Sequence, residues 1–303
     1  MSFDSPVAAD TEEEAPAAPA STSKPAGTRR SESRSGFWPR LVPFGIVLLL
    51  AVIGPFLATH SATEVVGGQS EAPSGEFWFG TDANGLDIYS RVVTAFRLDI
   101  VIALCITIIA TVVAMVVGLV SGMYQSNRGV SGILARLLGR AVDLVQSIPV
   151  MIAGLVIVSF FGRNAVVITL SLAVVLIPFQ ARLMRTEVLR TRIDGYIDAA
   201  RMSGESEGRL LVRHVLPNSF RPTIENTSTI FGMAIIFCAA LGFLGVGIPT
   251  PTAEWGTMLA AGAPDAAVGR WWSVLFPAAA LALSVWSASL VVAAFGGKRR
   301  TSH

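Results

Sequence analysis

The chain has 303 residues, 52% of them apolar and only 15% charged, with a formal net charge of +2. A soluble domain carries closer to about a quarter charged residues, so the balance points to a chain solvated largely by lipid. It argues against an ordinary soluble enzyme, and no nucleic-acid partner is expected.

Residues 1–36 are rich in Ala, Pro, Ser and Glu and show no apolar periodicity. Such a segment cannot offset its chain entropy by burial, and a disordered cytoplasmic tail is predicted there. No apolar region lies close enough to the N-terminus for a cleaved signal peptide. The first span, within 37–60, is expected to act as an uncleaved anchor.

A bilayer core about 30 Å thick takes roughly 20 apolar residues in a helix. Six blocks approach that length: Leu41–Ala58, Ile100–Met123, Leu144–Phe161, Ala165–Phe179, Ile230–Ile248 and Trp271–Phe295. The expected fold is therefore all-α and polytopic, with six transmembrane helices. An outer loop with an interfacial segment occupies 61–97, and a core of five spans occupies 98–295. Within that core lies a polar loop, 183–222, and a short basic tail follows at 296–303.

Individual residues in these blocks read mostly as structural. Cys105 and Cys238 fall inside apolar segments, where they behave as small hydrophobic groups with no disulfide or metal spacing. Gly118 and Gly122 have the spacing of a close helix–helix contact. Asp82 and Asp87 are expected to cap a turn before the second span, and Asp143 to pair with Arg140 or cap a helix. Trp255, Trp271 and Trp272 fit an interfacial aromatic belt.

Charge placement orients the chain. Lys and Arg accumulate on the cytoplasmic side of short loops. With both termini cytoplasmic, all of the 23 Lys and Arg residues except Arg91, Arg97, Arg163 and Arg270 fall inside. The six apolar cores carry no Asp, Glu, Lys, Arg or His, and Asp99 and Asp143 are placed at their edges. Ion-coupled carriers hold their ion on such groups, so a secondary carrier is disfavoured. The chain also lacks a G-x-x-x-x-G-K-[ST] phosphate loop, H-E-x-x-H and G-x-S-x-G. Work is expected to come from another protein, with no cofactor and no catalytic residue here.

The loop between the fourth and fifth spans carries the informative pattern. Leu183–Arg192 continues the fourth helix. Asp194–Ser203 reads as a short helix, with Asp194 as its N-cap and Gly204 as its stop. Glu205–Leu216 reads as a second helix, ended by Pro217. At these residues the chain resembles the permeases of ATP-binding-cassette (ABC) importers. Asp198-Ala199-Ala200, three residues, Gly204, nine residues, then His214-Val215-Leu216-Pro217 is similar to their EAA loop, E-A-A, three residues, G, nine residues, I-x-L-P. Asp198 stands for Glu and His214 for the apolar residue. Arg213-His214-Val215-Leu216-Pro217-Asn218 resembles the R-H-x-L-P-N form of the dipeptide, oligopeptide and nickel permeases.

Further stretches of the same subfamily follow in order. They are Phe79-Gly80-Thr81-Asp82 with Gly85, Asp87, Ser90 and Arg91; Arg140, Asp143 and Pro149; Ala240 through Gly247; Pro249 through Leu259; and Trp271-Trp272 with Phe276-Pro277. Ala95, Asp99 and Ala278 depart from its usual Gly, Ser and Gly.

The resemblance implies a type I ABC importer permease fold and the "C" partner of a paired heterodimer in a bacterial plasma membrane. It implies that Asp198, Ala199, Ala200, Gly204, His214, Leu216 and Pro217 couple to two separate ATPase subunits, or to one fused ATPase. A homologous permease, an extracytoplasmic substrate-binding protein, a peptide substrate and the lipid bilayer complete the expected partners. Nickel or haem is the alternative cargo, and a non-transport membrane scaffold or stand-alone channel is the rival class.

Overall fold

The computed structural model describes residues 37–193 and 195–296; for Phe37, Tyr196, Asp198, Arg201, Glu207, Phe295 and Gly296 it describes the backbone alone. The predicted tail over 1–36, the Asp194 cap and the basic Lys298, Arg299 and Arg300 lie outside the described residues. The helices are α1 (Phe37–Leu57), α2 (Ile88–Tyr124), α3 (Val130–Gln146), α4 (Val150–Phe161), α5 (Ala165–Arg192) and α6 (Gly195–Met202). They continue with α7 (Glu207–Leu210), α8 (Leu216–Glu225), α9 (Thr227–Phe243), α10 (Trp255–Ala267) and α11 (Trp272–Gly296). Among the described residues the sole β pairing is one bridge, Thr81 to Asp87. The all-α expectation holds.

Four helices, α1, α2, α5 and α11, are each long and apolar enough to cross a bilayer. Two bent pairs, Val130–Gln146 with Val150–Phe161 at 92° and Gly208–Glu225 with Thr227–Phe243 at 40°, raise the count to as many as six where each pair makes one crossing. The predicted third span, Leu144–Phe161, is thus not one helix. Pro149 has no N–H to continue the ladder, and the Ser147 amide and hydroxyl both turn back to the Leu144 carbonyl. The fifth apolar block also ends early. Its helix stops at Phe243, where the Val246 N–H closes onto the Leu241 carbonyl.

α2 organises the bundle. At 37 residues it runs about 55 Å, well beyond the apolar stretch that announced it. Asp87 starts it early, accepting the Ser90 N–H at 3.1 Å. On α2 the Gly118 and Gly122 positions face α5, and a Cβ at Gly118 would stand 2.6 Å from both the Ala181 carbonyl oxygen and the Met184 Cβ. The two helices meet at backbone distance, as the small-residue spacing predicts. One apolar core then joins Val47 of α1, Ile106 of α2, Leu172 of α5, Phe231 of α9, Trp255 of α10 and Ala288 of α11. Outward faces stay apolar, for example Val42, Ile46, Leu49 and Val52 on α1. Hydrocarbon solvates such a face without cost.

Candidate coupling site

The predicted loop helices sit at the end of the bundle where α2 and α5 finish. α6 buries Ile197 against Met123 of α2, Met184 and Val188 of α5, and Val215 of the second arm. Its other side is open: Ala199 is exposed, Ala200 half-buried, and Met202 is 86% exposed. Asp198 lies in α6, and its side chain is outside the described residues. The helix ends as Gly204 predicts. Gly204 takes φ +85°, and the Glu205 N–H reaches back over it to the Ala200 carbonyl at 3.3 Å.

The second arm differs from the expected helix. Glu207–Leu210 opens into one wide π turn, Leu211–Val215, and α8 then carries the chain on to Glu225. Pro217 does not end the arm but sits in the first turn of α8. A proline ring removes one N–H and crowds the carbonyl four residues back. The π turn relieves that crowding, with the Leu216 N–H donating five residues back to Leu211.

Glu205 braces the second arm internally. Its carboxylate lies 3.3 Å from His214 Nε2 and 3.8 Å from Arg213 Nη1. Of the predicted residues, Ala199, Ala200 and Gly204 thus share the first arm, and His214, Leu216 and Pro217 the second.

A buried polar knot anchors this second arm to the bundle. The Gln180 amide, fully buried, donates to the Thr223 carbonyl at 2.7 Å and accepts from Asn226 Nδ2 at 2.7 Å. Arg192 donates to the Gly122 carbonyl at 3.1 Å. Asp143 pairs with Arg185 at 4.0 Å, not with Arg140 as predicted, because α3 lies along α5. Ile197, Glu205, Gln180 and Asn226 were not singled out in the sequence. A lone apolar residue in a polar helix was the available signal for Ile197.

At the opposite end, called here the α10 side, the loop carboxylates do cap turns. Asp82 accepts the Asn84 and Leu86 amides, and Arg91, 2% exposed, donates to the carbonyls of Ala62 and Pro251. Trp255 corrects the aromatic-belt prediction. It is buried against Phe96, donating through its ring N–H to the Val92 carbonyl. Its backbone N–H donates to Asp99 at 3.0 Å. Asp99 lies within α2, one residue before the apolar block that begins at Ile100, and beside Glu254 and Cys238. Glu254 caps α10, accepting the Gly256 and Thr257 amides. Burial pushes its carboxyl above the usual range, and those amide bonds partly offset the effect.

A polytopic helical bundle with a hinged helical loop packed beneath two of its spans defines a membrane transport component. The chain belongs to the family of binding-protein-dependent transport system inner membrane components, whose model matches residues 114–300. It is 34% identical over 245 residues to a probable D,D-dipeptide transport system permease protein of Escherichia coli, covering 79% of this chain and 78% of that one. It is 32% identical to a dipeptide transport system permease protein of Alkalihalophilus pseudofirmus, covering 80% and 78%. The crystal structure of an amino acid ABC transporter with histidines superposes with a TM-score of 0.53 at 14% identity, covering 69% of this chain and 94% of that chain. At that identity the likeness speaks for the fold alone.

Proposed function

We propose that this chain is the permease subunit of an ATP-driven importer of di- and oligopeptides in a bacterial plasma membrane. It supplies half of the translocation pathway, beside a homologous permease. Two ATPase subunits, or one fused ATPase, hydrolyse ATP, and an extracytoplasmic binding protein delivers the peptide. Both termini and the 183–222 loop face the cytoplasm, in keeping with the placement of the basic residues. Two relatives named for dipeptide transport, at 34% and 32% identity, favour peptide over nickel or haem.

The observation that carries the coupling role is the packing of Ile197 and Val215 against Met123, Met184 and Val188. A push on the exposed face of α6 is transmitted through those contacts to α2 and α5. Small side chains at Ala199 and Ala200 let another protein's backbone approach. Asp198, Gly204, His214, Leu216 and Pro217 belong to the same lever.

Ala200→Trp tests this reading. Reconstituted with its partners in proteoliposomes, the variant is expected to insert normally and to lose peptide uptake by at least tenfold. Uptake at the parental rate would refute the lever. Measuring whether dipeptides, nickel chelates or haem stimulate ATP hydrolysis by the complex tests the cargo.

A further inference from the structure

Asp99 and Glu254 form a buried pair of acids with no basic partner among the described residues. They are 5% and 1% exposed. One carboxylate oxygen of each and the Cys238 sulfur lie within 4.8 Å of one another. Three separate elements meet there: α2, α9 and the residue that caps α10. One oxygen of Asp99 accepts the Trp255 N–H, while the other, Oδ1, is buried and has no hydrogen-bond partner. A buried acceptor left so is costly.

The nearby basic groups are engaged elsewhere. Arg91 donates to two carbonyls and lies 4.0 Å from Asp82. Arg97 lines a groove on the α1 side with Leu48, Val52 and Phe56. Arg163 donates to the Gly245 carbonyl, and Arg270 pairs with Asp265, which also accepts from Ser70. The described parts of α9 and α11 carry no charged residue. Among the described residues the facing titratable groups are therefore Asp99, Glu254 and Cys238. Two adjacent carboxylates in a low-dielectric site do not both ionise without a compensating positive charge.

We propose that Asp99 and Glu254 together bind one proton, one carboxyl donating its O–H to the other's oxygen, and that this shared proton clamps α10 onto α2 and α9. The bond gives the orphaned Asp99 oxygen a partner. Losing the proton places two like charges at the joint that Trp255 seals, and loosens it.

The linkage has a definite sign. In the unfolded chain both acids ionise near the ordinary carboxylate range, whereas the folded pair keeps a proton above it. Folding therefore takes up a proton, and stability falls as pH rises from that range toward the point where the pair titrates. One proton corresponds to about tenfold in the folding equilibrium constant per pH unit.

The test is thermal unfolding of the full-length chain, assembled with its partners in lipid nanodiscs, between about pH 6 and about pH 9. Asp99→Asn supplies an amide N–H donor that does not titrate. Its stability is expected to fall less steeply with pH than the parent's, by the slope of that single proton. Infrared spectra of the parent near neutral pH are expected to show a protonated-carboxyl band that Asp99→Asn and Glu254→Gln each remove. If neither variant assembles, the parent's band alone decides, by its presence near neutral pH and its loss under alkaline conditions. Absence of that band would overturn the proposal. So would equal pH slopes in parent and variant, or a stoichiometric divalent cation in the parent that Asp99→Asn releases.

Discussion

A glutamine within a membrane-crossing helix is tolerated when its amide is fully used, and Gln180 uses both ends. The oxygen takes Asn226 and the nitrogen serves the Thr223 carbonyl, at the bend between α8 and α9 where the backbone ladder is interrupted. Hydrocarbon offers no substitute partner there. Gln180→Leu keeps most of the volume and leaves the Asn226 amide unserved. It should destabilise the protein by about 1–3 kcal/mol, read as a lower Tm of the purified complex, and an unchanged Tm would contradict the assigned role. Gln180→Glu should be worse, since it removes the donor and adds a charge. None of this was legible in the sequence, where Gln180 stands just past the apolar block that ends at Phe179. Its partner Asn226 lies 46 positions away, and no local pattern reports that pairing. Asp99 escaped for a similar reason. A charge next to an apolar block says nothing of its partners until Glu254, 155 positions on, is seen beside it.

Elements were more legible than their joints. Apolar length located α1, α5 and α11 closely, because a lipid-facing helix has to be apolar all along the membrane. The break at Pro149 and the π turn before Pro217 were missed as geometry, although both prolines were noted. What a proline does there depends on what lies four residues back and on the surrounding packing. Gly204 and Gly118 separate conformational from steric demands on glycine. A Cβ at Gly204 meets open space, and only its φ of +85° resists substitution. Gly204→Ala should cost about 1–2 kcal/mol while changing the angle between the two arms, so uptake should fall more than Tm does. Gly118→Ala drives a methyl into Met184 and the α5 backbone, an overpacking that costs about 1–3 kcal/mol. There Tm should fall at least as far as uptake. The reverse ranking in a paired measurement of Tm and peptide uptake would reject this division.

Across the whole molecule, the two ends of the bundle differ in construction. The α6–α8 end is built from short helices with Arg182, Arg185, Arg190, Arg192, Arg209, Arg213 and Arg221 around them. The α10 end is a sealed cap of turns, aromatic rings and buried acids. Insertion favours arginines on the cytoplasmic side, so the α6–α8 end should face the cytoplasm and the cap should face outward. The parental cysteines permit a direct check, because both lie in apolar helices and Cys238 is buried. Ser203 and Ser74 are exposed at opposite ends. A membrane-impermeant maleimide should label Ser203→Cys only in inside-out vesicles and Ser74→Cys only in right-side-out ones. The opposite pattern would invert the molecule and move the proposed lever away from any cytoplasmic ATPase. Labelling of both variants from one side would break the bundle itself, since an even number of crossings would then have to separate Ser74 from Ser203, where α2, the bent α3–α4 pair and α5 make three.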